Sequence, residues 1–338
     1  MLVLAHRYDW YDHHNSRKIH TSDTPRLGGI GIFLSFLLAS ALGIVLVGLP
    51  LLPVWEGYRS ILLLGAGLVI MHGLGLYDDF VNLRAPLKLA IQIVAGVFVA
   101  LSGATVSAID LPWYGVLSIP SWIAVPATVF WVVSVSNAVN LIDGADGLAG
   151  GVGLIIALFV GLIAIGQGSP LPALFASALV GSLAGFLVYN MPPARIFMGD
   201  GGSLALGYLL SVLPLLGLER AHGPVPILPP LAIIPVLTLL YIPIVDTVLA
   251  IFRRLGRGQP IHAADREHIH HRLIDLGIHG RRLLAVIYGA AVVFGVVAAG
   301  WFTIDRETSA VITFIVWFVA LATIIAIGKR HGRNGESV

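Results

Sequence analysis

Only 11% of the 338 residues are charged and 57% are hydrophobic, less than half the roughly 25% charge of an average soluble domain, which excludes a water-soluble fold. The 20 basic and 18 acidic residues nearly cancel to a formal +2, so net charge gives no case for nucleic acid and none is expected as a partner. With no cysteine in the chain, disulfides, thiolate zinc sites and cysteine nucleophiles are excluded as well.

In chain order, Met1 to Ala5 is too short for a signal peptide and runs into a polar stretch, Arg17-Lys18-Ile19-His20, that leads to Pro25-Arg26-Leu27-Gly28-Gly29. Apolar runs follow at 29–49, 60–76, 87–103, 120–137, 148–167, 171–189, 203–218, 227–252, 283–302 and 308–328. Each approaches the ~20 residues a helix needs to cross about 30 Å of hydrocarbon. The expected fold is therefore an all-α integral membrane protein, a polytopic bundle of about ten transmembrane helices in a lipid bilayer. No repeat or long linker divides it, so 1–338 reads as a single integral membrane domain.

An even number of crossings puts both termini on one side. All the Lys and Arg residues except Arg59, Arg220 and Arg306 fall on that side, which the positive-inside rule assigns to the cytoplasm. The polar clusters lie on the same side, so an active site there would face the cytoplasm. The longest polar connection, 253–282, is rich in arginine and histidine and is where a water-soluble substrate would be gripped.

The second span ends in Tyr77-Asp78-Asp79-Phe80. Neighbours on a helix point about 100° apart, so the two carboxylates should face different partners. A solvated helix end is the plain alternative, but carboxylates at a membrane edge are costly enough to suggest function. The fourth span ends in Asn137-Ala138-Val139-Asn140-Leu141-Ile142-Asp143-Gly144-Ala145-Asp146-Gly147. If helical, its amides and carboxylates stack along one side. Such a stripe of hard oxygen donors suits Mg²⁺ shared with phosphate, whereas a capped helix end with Asp-Gly turns would account for one aspartate only.

Asp200, within Gly199-Asp200-Gly201-Gly202-Ser203, opens the seventh apolar run. Free amides and the positive helix end there favour phosphate, and the carboxylate favours a bridging cation. An ordinary N-cap is the simpler alternative. Asp246 lies seven residues before Arg253 on one helix face and can be structural or functional. Asp265-Arg266-Glu267-His268-Ile269-His270-His271-Arg272 lacks the cysteines or H-E-x-x-H pattern of a zinc site. Its arginine forks and imidazole donors suit a diphosphate, with a solvated basic loop as the alternative.

Taken together, Arg17-Lys18-x-His20 to Gly29, Tyr77-Asp78-Asp79, Asn137 through Ala149, Phe197 through Ser203 and His268-x-His270-His271-Arg272 resemble the polyprenyl-phosphate N-acetylhexosamine-1-phosphate transferases. The last motif is similar to the undecaprenyl-phosphate N-acetylglucosamine-1-phosphate branch. Members of that branch usually carry one more helix ahead of the Arg17 segment.

The resemblance implies transfer of an amino-sugar 1-phosphate from a UDP-amino sugar to polyprenyl (undecaprenyl) phosphate at the inner (plasma) membrane, with release of UMP. It implies Mg²⁺, with Mn²⁺ as a substitute, on Asp200 and Asn140. Asp78 and Asp79 would serve the lipid phosphate, while Asp143 and Asp146 would line the nucleotide and metal region. Arg266, His268, His270, His271 and Arg272 would hold the diphosphate or nucleotide, with Lys18 and Arg26 as further substrate contacts. A homodimer is compatible with this reading. The rival from another class is a secondary transporter of a phosphorylated or sugar solute, whose site belongs near mid-membrane and between inverted repeats. A CDP-alcohol phosphotransferase is a nearer rival, but its longer aspartate spacing is not found at Asp143 to Gly151.

Overall fold

A computed structural model describes residues 24–47, 56–111, 113–217, 233–260 and 267–335. Lys18 and Arg266 lie outside the described residues. The elements in order are α1 (Gly28–Val47), α2 (Glu56–Val81), α3 (Ala85–Leu101), the strands β1 (Ala108–Leu111) and β2 (Gly115–Ser118), α4 (Ser121–Ile142), α5 (Leu148–Gly166), α6 (Pro170–Asn190), α7 (Gly199–Val212), α8 (Ile233–Leu239), α9 (Tyr241–Gly256), α10 (Ile269–Asp275), α11 (Gly280–Gly300) and α12 (Arg306–Gly335).

Seven of these helices are long and apolar enough to span a bilayer: α1, α2, α4, α5, α6, α11 and α12. Large apolar side chains such as Leu38, Leu62, Phe130, Val188 and Phe318 stand exposed on them, an arrangement that lipid tolerates and water penalises. The other three expected spans hold helices of a different kind. Helix α3 has 17 residues and α7 has 14. The run 227–252 contains α8 and α9, bent by 82° at their junction. Pro243 explains the break, since it has no N–H to offer the Leu239 carbonyl four residues back.

β1 and β2 pair antiparallel, from Ala108 opposite Ser118 to Leu111 opposite Gly115, between the C-terminus of α3 and the N-terminus of α4. At the opposite end of the bundle lie the starts of α1, α3, α5, α7 and α11 and the ends of α2, α4, α6 and α9. The described parts of the polar motifs singled out in the sequence belong to that end.

Helix α7 is the hub. Residues 201–212 are all buried, flanked by α1, α2, α4 and α5. Glycine lets three backbones meet there. A Cβ on Gly75 of α2 would overlap the Asp200 carbonyl, and one on Gly29 of α1 would overlap the Gly202 amide. The first N–H groups of α1 need partners from outside the helix. Two are met by the segment that leads into α7, Gly28 N donating to Phe197 O and Gly29 N to Met198 O, both at 2.9 Å. The Pro-Arg-Leu-Gly-Gly segment is thus a backbone seam holding α1 to the head of α7.

Replacing Gly75 by Ala should cost about 1–3 kcal/mol through overpacking against α7. Gly73→Ala, two residues away with open space around its Cβ, should be neutral or stabilising by about 0.4–1 kcal/mol. Thermal unfolding of the two variants in detergent checks this, and equal melting temperatures would contradict the close packing.

Candidate active site

Asp78 and Asp79 close α2 and diverge, as their one-residue spacing predicts. Asp79 turns inward, where its side chain is 6% exposed, and accepts the Asp200 amide at 3.0 Å and the Gly201 amide at 3.1 Å. Helix α7 has no side-chain cap of its own, so a carboxylate from α2 caps it in trans. Gly199, with φ of +71°, makes the left-handed turn that brings these two amides to Asp79, while Arg26 Nη1 stands 4.0 Å from Asp79 Oδ1.

Asp78, 4% exposed, turns toward α3 instead. Oδ1 accepts the Leu83 amide at 2.6 Å, and Oδ2 accepts a short bond from Lys88 Nζ on α3. The same ammonium lies 3.8 Å from Asp200 Oδ2, so Lys88 bridges two carboxylates from different helices. A protonated Asp200 carboxyl also donates to Asp78. Asn140, in the last turn of α4, donates to Asp200 Oδ1 at 3.1 Å and to Ser203 Oγ at 2.8 Å.

This crowding shifts the acids. Burial pushes the Asp200 carboxyl up to about 6, helped by the bond to Asp78 and the charge of Asp79 and opposed by Asn140 and Lys88. Burial likewise pushes Asp143 up to about 7, with Asp200 and Asp79 repelling its charge and Arg26 relieving it. Asp78, Asp79, Asp143, Asp146 and Asp200 therefore bear on one region, with Lys88 and Arg26 offsetting part of their charge.

The expected stripe of four polar groups does not survive intact. Helix α4 ends at Ile142, Asp143 takes a non-helical φ of −76° and ψ of 51°, and Gly147 turns at φ +76° to start α5. Asn137 exchanges hydrogen bonds with Gln92 of α3, at 2.7 and 3.3 Å, and is spoken for within the bundle. Asn140 and Asp143 keep to the site. Asp146 Oδ2 accepts the Ala194 amide at 2.9 Å and fastens the α6–α7 connection.

The histidine loop meets this cluster through His270, since a Cβ on Gly144 would lie 2.5 Å from His270 Nε2. His270 lies tilted by 38° against His271 at 4.2 Å and parallel to His268 at 6.0 Å. Burial drives His270 down to about 4, with the neighbouring His271 adding to the effect, so it is a neutral imidazole at physiological pH. Arg272 is turned elsewhere, donating to Glu267 Oε2 at 3.0 Å and resting against Gly328 of α12. Glu267 also takes Arg257 and lies 3.8 Å from Arg253. The bonds from Arg257 and Arg272 hold its carboxyl below the usual range, against the opposing effect of burial.

Lys88 is the residue that sequence reasoning passed over. It had counted only as a topology charge, although its place ten positions beyond Asp78, across a short link, was a signal for pairing.

The glycosyl transferase family 4 model matches residues 61–218, which include Asp78, Asp79, Lys88, Asn140, Asp143, Asp146 and Asp200. A Bacillus subtilis protein named as a probable undecaprenyl-phosphate N-acetylglucosaminyl 1-phosphate transferase is 37% identical over 85% of this chain and 76% of its own length. The chain belongs to the polyprenyl-phosphate N-acetylhexosamine-1-phosphate transferase family. A Mycobacterium leprae decaprenyl-phosphate N-acetylglucosaminephosphotransferase is 33% identical over 97% of this chain and 86% of its own length. The Escherichia coli K12 undecaprenyl-phosphate alpha-N-acetylglucosaminyl 1-phosphate transferase is 29% identical over 85% of this chain and 75% of its own length. The family thus extends over the histidine loop as well as the aspartate cluster.

The raised Asp143 has a measurable consequence in chelator-treated protein. Its carboxyl binds a proton up to about pH 7 when folded but only to about 3.8 when unfolded. That proton therefore favours folding at low pH, and the contribution fades as pH climbs from about 4 to 7. The melting temperature of the parent minus that of Asp143→Asn should fall between about pH 5 and 7 and then level off. A difference that rises with pH would contradict this environment.

Proposed function

We propose that this chain transfers N-acetylglucosamine 1-phosphate from its UDP-linked form to a polyprenyl phosphate in the membrane, at a Mg²⁺-dependent site facing the cytoplasm. The observation that carries the reading is the meeting of Asp78, Asp200, Asn140 and Lys88 at one end of an apolar bundle, in a chain whose relatives bear the names of such transferases. The basic residues concentrated at that end support a cytoplasmic orientation.

In the reaction, a phosphate oxygen of the lipid bonds to the phosphorus that carries the sugar. The bond from that phosphorus to the bridging oxygen breaks, and UMP leaves with the bridging oxygen. Such a transfer asks for positioning and charge neutralisation and needs no protein nucleophile.

The residues fit a divalent ion in chemistry. Asp200 and Asn140 offer hard oxygens, and the shared bond between Asp78 and Asp200 marks an excess of negative charge. No group of three or more His, Asp or Glu residues placed to hold a metal exists among the described residues. This suits Mg²⁺, which takes one or two protein ligands and completes its shell with water and phosphate. Bound there, it would neutralise the charge of the diphosphate. Lys88 sits between the two carboxylates, where it orients Asp78 and supplies positive charge to an incoming phosphate. Arg26 does the same beside Asp79. Asp79 itself is held by two amides and keeps Asp200 in place.

Purified protein given undecaprenyl phosphate, Mg²⁺ and a panel of UDP-amino sugars should release UMP, fastest with UDP-N-acetylglucosamine. EDTA should stop turnover. Asp200→Ala and Lys88→Met should each lower it by about 100-fold or more. No UMP from any UDP-amino sugar would overturn the assignment, and turnover unchanged in Asp200→Ala would remove that residue from the metal site.

A further inference from the structure

Asp246 has no part in the transfer just described, yet among the described residues it is one of the most buried carboxylates, 2% exposed within α9. Burying a charge is costly unless donors meet it, and both of its oxygens are met by the histidine loop. Oδ2 lies 2.9 Å from His268 Nδ1, and Oδ1 accepts the Ile269 amide at 2.9 Å. The second bond answers the first free N–H of α10, for which no side chain of that helix supplies a cap.

The first bond sets the state of the ring. An ionised carboxylate only accepts, so Nδ1 of His268 carries a proton, and Nε2 points away from Asp246 on the far side of the ring. No described residue hydrogen-bonds that Nε2. The ring is 5% exposed and lies parallel to His270 at 6.0 Å. His270 in turn closes on Gly144, between Asp143 and Asp146. The ring whose tautomer Asp246 fixes thus stands one stacking step from the aspartate turn.

We propose that Asp246 is the positioning residue of the histidine loop, accepting Nδ1–H of His268 so that Nε2 is the nitrogen that takes a proton from solvent and donates it in a hydrogen bond to the diphosphate of the nucleotide-sugar donor. This rests on the transfer reaction proposed above. It also separates the roles of the histidines. His268 is oriented by a buried carboxylate, whereas His270 is a buried spacer against Gly144.

The discriminating variant is Asp246→Asn. Its amide oxygen can still accept from Ile269 N, preserving the cap, but its NH₂ faces Nδ1 and must donate to it. The ring is then held neutral with its one proton on Nε2, and the positive charge that the carboxylate supports beside the diphosphate is lost. Nitrogen-15 spectra of histidine-labelled protein, with the His268 signals assigned by their loss in His268→Gln, should show Nδ1 protonated in the parent and unprotonated in Asp246→Asn. UMP release should drop by about 10- to 100-fold in Asp246→Asn with the melting temperature nearly unchanged. The double variant Asp246→Asn/His268→Gln should be no slower than His268→Gln alone, because the carboxylate acts through that ring.

An unprotonated Nδ1 in the parent, parental turnover in Asp246→Asn, or fully additive losses in the double variant would overturn the proposal. Should the parent release no UMP at all, the transfer reading fails, while the nitrogen signals still decide whether Asp246 sets the ring.

Discussion

The site depends on one carboxylate reaching across two helices. Asp79, at the end of α2, accepts the first amides of α7 at 3.0 and 3.1 Å, at the helix end where the macrodipole is positive. Close packing at Gly75 makes the reach short enough. With α7 pinned in this way, Asp200 stands beside Asp78 and Asn140. The adjacent pair Asp78-Asp79 divides its work, one residue holding the scaffold and the other facing Lys88 and the reacting region.

That arrangement concentrates negative charge where water is scarce. Lys88 and Arg26 offset part of it, and the remainder appears as carboxyls at Asp143 and Asp200 that hold their protons to about 7 and about 6. A group of acids in that state binds a cation better than it tolerates its own ionisation. The proposed phosphoryl transfer would use this condition, since a divalent ion and the diphosphate would each supply the charge the other lacks. The histidine loop, fastened by Asp246 and by the arginines around Glu267, closes over the same end of the bundle.

Much of this was legible in the sequence. The apolar runs located the spanning helices because lipid demands length and composition and little else. The single-residue spacing of Asp78 and Asp79 foretold that they would part company. The bend between α8 and α9 was missed because Pro243 sits in an apolar run and changes no hydropathy. The hairpin of β1 and β2 escaped because four-residue strands leave little periodicity. Spacing also gave Asn137 and Arg272 to the motifs they sit in, although Gln92 and Glu267 turn their side chains elsewhere. A motif fixes which residues are near one another along the chain. Which way each side chain turns is decided by partners on other helices, and Lys88, read only as a cytoplasmic charge, was hidden for the same reason.

The convergence of α2 and α7 can be measured directly because the chain contains no cysteine. Asp78→Cys and Asp200→Cys introduced together leave Asp79 to cap α7, and a short bifunctional methanethiosulfonate can then bridge the two thiols. The account predicts rapid intramolecular linkage that protects both thiols from later alkylation, with no linkage when Asp200→Cys is paired with Trp113→Cys beside the hairpin. Two thiols that each take up the reagent separately and are never joined would contradict it.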